Sequence, residues 1–106
     1  MIGGVYSIAI ARDRQFDLGF TLTNDDQYVK NELLDAAIAY IVYNMYPEAA
    51  AVHWPMSWSY AYWNPSKYKK KNLAKAGALI AAEIDRLERV EEKIRLDGFN
   101  PNMDCY

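Results

Sequence analysis

The sequence has little of what most active sites are made from. Its 106 residues include one cysteine, Cys105, and one histidine, His53, so an internal disulfide and a thiolate metal cluster are excluded. There is no glycine-rich phosphate loop and no GxSxG turn, which leaves covalent catalysis by the usual arrangements without residues to carry it. Lys and Arg number 12 against 14 Asp and Glu, a net charge of −2. A chain that coats nucleic acid needs the opposite balance to neutralise phosphates, so DNA is not an expected partner. The longest apolar run, Ala36 to Tyr43, is far short of the roughly 20 residues that cross a bilayer. Met1 to Ile10 lacks the charged start and apolar core of a signal peptide. The expected compartment is the cytoplasm, with no membrane partner.

Aromatic residues are what the chain has in quantity. They make up 14% of it, and most of the Trp and Tyr fall between Tyr40 and Tyr68, more than the core of a small helical domain requires. The hydrophobic spacing predicts an all-α fold: a compact bundle of three main helices with a long aromatic-rich connection, as one domain over 1–97 with a C-terminal tail over 98–106. The first helix is expected from about Val5 to Leu18 and ends at Gly19, a residue free to take the left-handed conformation. Phe20 to Tyr28 reads as a structured loop, with Asp25 or Asp26 able to cap the next helix. That second helix is expected from about Gln27 to Tyr46, stopped by Pro47, with Leu34, Ile38, Ile41 and Met45 as its apolar stripe. Its opposite side, Glu32, Ala36, Ala39 and Tyr43, is equally consistent with a pocket wall and a subunit interface.

The last helix, Lys71 to Arg89 with a continuation to about Leu96, organises the rest. Leu73, Gly77, Ile80, Ile84 and Leu87 recur at three- and four-residue intervals and predict its buried side. Ala74, Ala78, Ala81 and Ala82 fill much of the remainder and let other helices approach on more than one flank. With small residues on two sides of this helix, a homodimer or higher homo-oligomer is expected.

Two kinds of chemistry fit the residues. The first is binding. Trp and Tyr rings stack on nucleobases, and Arg or Lys holds phosphates. Trp54, Trp58 and Trp63 in the connection are candidates for stacking, Arg12 and Lys75 for phosphate, and Gln15 with Asp26 for sugar or base. For any single Trp the plain alternative is packing over the helices. The second is hydrolysis. Glu32 to Tyr43, ELLDAAIAYIVY, resembles the carboxylate-bearing helix of the all-α, MazG-like nucleotide pyrophosphohydrolases. That resemblance implies a Mg²⁺ site with Glu32, Asp35 and Glu83 as ligands. Three residues beyond Glu83, where a second acid belongs, stands Arg86.

From Ile10 to Arg89 the chain as a whole resembles a family of short bacteriophage and prophage proteins, mostly of unassigned activity. The matching segments are Arg12-Asp13-Arg14-Gln15, Gly19-Phe20-Thr21, Asp25-Asp26-Gln27, Glu32-Leu33 with Ala36-Ala37 and Tyr40, Trp54-Pro55 with Trp58 and Trp63, and Asn72 to Ile80 with Ala82-Glu83-Ile84. Thr23-Asn24 replace an acid and a histidine of the usual pattern, and Met56 replaces an aromatic. A phage origin implies action in the cytoplasm of an infected bacterium. The leading expectation is therefore an anti-defence protein that sequesters a nucleotide-derived immune second messenger, a cyclic ADP-ribose isomer or a cyclic dinucleotide, with no cofactor and without cleaving it. The MazG-like hydrolase and a helical adaptor that binds a host protein are the alternatives.

Overall fold

The computed structural model describes residues 3–19 and 21–97; the expected tail, 98–106 with Cys105, lies outside the described residues. Among the described residues every regular element is helical. The order is α1 (Gly3–Asp17), a one-turn α2 (Leu22–Asp25), α3 (Glu32–Met45), a one-turn α4 (Pro47–Ala50), two 3₁₀ turns (Ala51–His53 and Tyr60–Tyr62) and the 28-residue α5 (Lys69–Leu96). Both α1 and α3 pack along α5.

Local chemistry sets most boundaries. Gly19 takes φ 94° after α1, as the turn there requires. Thr21 caps α2 by accepting from the Asn24 amide at 3.2 Å. Tyr46, pushed out of helical angles by the following proline, ends α3, and Pro47 opens α4 at the position where a missing N–H costs nothing.

The start of α3 corrects the sequence reading. Asp25 and Asp26 do not cap it, and it begins at Glu32 rather than Gln27. Asp25 is instead fully buried, with its Oδ2 3.5 Å from the Arg12 guanidinium. Arg12 also reaches Asp85 of α5 at 3.3 Å, so one cation ties α1, α2 and α5 together. Burial raises the Asp25 pKa, and Arg12 only partly offsets this. Having spent Asp25 on that junction, the chain turns through Asn31 at φ 65° before α3 can start.

The larger correction concerns which helix faces are inside. On α5, Leu73, Ile80, Ile84 and Leu87 are 51%, 40%, 49% and 44% exposed. The face turned to α3 is one residue round, with Asn72, Ala76, Leu79, Ala82, Glu83 and Arg86 buried. On α3, Ile38 and Met45 are likewise exposed, while Leu33, Ala36, Ala37, Ala39 and Tyr40 are buried. Alanines face alanines where the two helices meet. Side chains that small allow a close approach, and the closeness, rather than bulk, excludes water there. The bulkier aliphatic stripes are left on the outside of the single chain.

Candidate functional site: an aromatic cleft lined by cations

The connection from Pro47 to Lys67 has only single helical turns and is held by side chains. Trp54 is buried; its indole donates to the Ser59 carbonyl at 3.2 Å. Trp58 stands edge-on to it at 5.3 Å and Trp63 lies tilted at 5.2 Å. Tyr40 of α3 joins the cluster, 4.9 Å from Trp63 and 6.0 Å from Trp54. Its hydroxyl accepts from the Asn64 amide at 3.3 Å, and burial raises its pKa. At the far end, buried Asn72 donates to the Asn44 side chain at 2.9 Å and to the Ser66 carbonyl at 2.7 Å, and accepts from the Ser66 amide at 2.7 Å. One amide thus fastens the end of the aromatic segment to both α3 and α5.

Between this segment, α1 and α5 opens a cleft of about 350 Å³, within the size range of small-molecule sites. Tyr40, Trp54, Trp58 and Tyr62 form its aromatic wall, and Arg14, Lys71 and Lys75 are its charged groups. No carboxylate lines it among the described residues. Lys75 donates to the Asn64 carbonyl at 2.5 Å and lies 5.4 Å from the Tyr40 ring centroid. Burial lowers its pKa, and the charges of Lys71 and Arg14 lower it further. A second, more polar cleft of about 540 Å³ lies on the other side of Leu18, Trp58 and Tyr62, with Asn24, Gln27 and Glu32 on its walls.

Of the residues singled out from sequence, the structure brings Gln15, Trp54, Trp58 and Lys75 together around the smaller cleft. Arg12 stands behind it, donating to the Gln15 side-chain oxygen at 2.9 Å as well as meeting its two carboxylates. Trp63 packs behind Tyr40 and Trp54, and Asp26 is paired with Arg89 at 2.7 Å; neither lines the cleft. Arg14, Tyr62 and the lysines after the connection, Lys71 among them, belong to the aromatic and cationic set that the sequence offers for nucleotide binding; Tyr40 is the aromatic lining residue outside that set. Helical spacing places Ala11, Arg14, Gln15 and Leu18 on one face of α1, and Lys71, Ala74, Lys75 and Leu79 on one face of α5.

Of the three carboxylates in the hydrolase reading, Glu83 has both oxygens engaged and Glu32 has one. Both oxygens of Glu83 accept from Arg86, at 2.6 and 3.1 Å, and Glu32 accepts from the Lys30 amide at 2.6 Å. Among the described residues no group of three His, Cys, Asp or Glu side chains could hold a metal ion, and no helix is long and apolar enough to cross a membrane. No protein-family model, curated protein or solved structure matches the chain.

Proposed function

We propose that this is a phage anti-defence protein that binds a nucleotide-derived immune second messenger, a cyclic ADP-ribose isomer or a cyclic dinucleotide, and withholds it without cleavage. The observation that carries this reading is the company Lys75 keeps. Three cations share one cleft with four aromatic rings and, among the described residues, no acid; burial lowers the Lys75 pKa, and the two like charges lower it further. Such a cluster gains most from an anion that also offers a flat ring. In this reading Lys75, Lys71 and Arg14 hold phosphate. Trp58 and Tyr62 stack on a base against the floor made by Trp54. Gln15, with its oxygen held by Arg12, turns its amide nitrogen to sugar or base.

Trp58 and Tyr62 also wall the second cleft, which suits a ligand with two lobes, such as a cyclic dinucleotide. The proposal extends to a bundle of three main helices working as a homodimer or higher homo-oligomer in the cytoplasm of an infected bacterium.

The deciding experiment purifies the protein from cells making candidate signals, denatures it, and identifies any released small molecule by mass spectrometry. An intact nucleotide in near-stoichiometric amount is expected. A cleaved product, or no nucleotide from cells shown to contain the signals, overturns the reading. Affinity for the recovered nucleotide should fall about tenfold or more on Trp58→Ala, since base stacking is worth roughly 1–3 kcal/mol.

A further inference from the structure

Leu73, Ile80, Ile84 and Leu87 lie in one line along the open side of α5. Steps of four and three residues through 73, 77, 80, 84 and 87 return to the same side of a helix, and the one gap, Gly77, is flanked by Ile8 of α1. The strip is about 21 Å long at roughly 1.5 Å per residue. Lys69 stands one turn before it and Glu91 one turn after it.

Two observations say what covers this strip. The chain buries little aliphatic bulk of its own: among the described residues seven of the 11 buried hydrophobic residues are alanines, and only Leu33 and Leu79 are larger aliphatics. So thin a core needs its cover whenever the chain is folded, which a second copy supplies and an occasional partner does not. Four half-exposed aliphatic side chains also make a patch on the order of a few hundred Å², the size that marks an interaction site. The second observation is charge. On the strip's own side of α5, Lys69 and Lys70 precede Leu73 and Glu88 and Glu91 stand toward the other end; the spacing turns Arg86, Arg89 and Lys93 to other sides of the helix, and Arg95 is paired with Glu92. Parallel pairing would set lysines against lysines; antiparallel pairing sets them against glutamates and opposes the helix dipoles.

We propose that α5 pairs with α5 of a second copy, antiparallel about a two-fold axis at Ile80. Leu73 of each copy then meets Leu87 of the other, Ile80 meets its own counterpart, and Lys69 meets Glu91 at both ends. This rests on the oligomeric part of the function proposed above and on none of its ligand part.

The test is sedimentation equilibrium on the full chain at micromolar concentration, with melting followed at several concentrations. The expected wild type is a dimer whose Tm rises with concentration. Ile80→Glu with Ile84→Glu should weaken dimerisation at least about tenfold, while Val52→Glu on an exposed turn should leave it unchanged. Because the double variant could fail to fold, two gentler measurements decide independently. Lys69→Glu should weaken the dimer and Glu91→Lys added to it should restore it. Ile80→Cys in a Cys105→Ser background should cross-link across the axis on mild oxidation. A monomeric wild type with a concentration-independent Tm overturns the proposal, as does a chain that pairs only with a host polypeptide. A dimer indifferent to the α5 substitutions, or one in which neither the charge swap nor the cross-link works, overturns it too.

Discussion

Ile8 of α1 lies over the bare backbone of Gly77 so closely that a Cβ added there would fall 2.6 Å from its Cδ1 and 2.7 Å from its Cγ1. Glycine inside a helix is ordinarily a cost of about 1 kcal/mol relative to alanine, and here it is the condition for α1 to approach α5.

Gly77→Ala should therefore destabilise despite its better helix propensity. Overpacking costs roughly 1–3 kcal/mol. Ile8→Ala should erase most of that cost in the double variant, a coupling that urea unfolding of the four-member cycle would read directly. Additive effects would show that Ile8 yields without resistance.

Asn72 makes three hydrogen bonds from a buried position. Asn72→Leu should cost about 2–3 kcal/mol, because it removes three hydrogen bonds to the half-buried Asn44 side chain and Ser66 backbone. Because that cost falls where the aromatic segment is tied down, tryptophan fluorescence should report loosening of the segment at denaturant concentrations below the loss of helical circular dichroism. Coincident transitions would mean that the segment is held elsewhere.

Glu83 and Arg86 are both buried and bound to each other. The side-chain hydrogen bond to Glu83 is the main cause that raises the Arg86 pKa, so the charge stays on the guanidinium. Removing it alone, by Arg86→Met, should cost about 3–5 kcal/mol, since it leaves a buried carboxylate without its partner. Arg86→Met with Glu83→Gln should recover most of the loss. Thermal melts of the two variants at one pH decide the point.

Lys75 gives the site a pH signature. Its folded pKa lies below the ordinary 10.5, and a bound phosphate would raise it again, so anion binding takes up a proton. Affinity should then be highest where Lys75 is already charged and fall as pH rises through the free-state titration of Lys75, below the range of an ordinary lysine. Burial raises the pKa of Tyr40, which favours its neutral form. The sign for folding is opposite: the charged form is disfavoured in the folded state, and stability is gained as pH rises from the folded pKa toward 10.5. Lys75→Met should remove the pH dependence of binding, weaken affinity about tenfold as expected for one charge-assisted contact, and leave Tm undiminished. Isothermal titration at three pH values would show this.

The helices were legible in the sequence because their start and stop signals are local: Gly19, Pro47 and the apolar spacing of α5 needed no tertiary information. The inside of those helices was not. Periodicity shows that Leu73, Ile80, Ile84 and Leu87 share a side, and it favours the side with the larger residues. The fold of one chain follows close approach instead, so the alanine side of α5 went inward. Arg12 was misleading for a related reason. A lone cation in an apolar stripe reads as a ligand contact when the carboxylates that answer it, Asp25 and Asp85, are 13 and 73 residues away. The site was half legible: the Trp cluster and Lys75 stood out by composition, whereas Tyr40 joins it, and Arg14 and Lys71 are sorted from the other cations, only because α1, α3 and α5 converge there.

Trp58 and Tyr62 form a partition with open space on both sides. A ring displaced by whatever enters one cleft reshapes the wall of the other. The two clefts are therefore not two independent compartments.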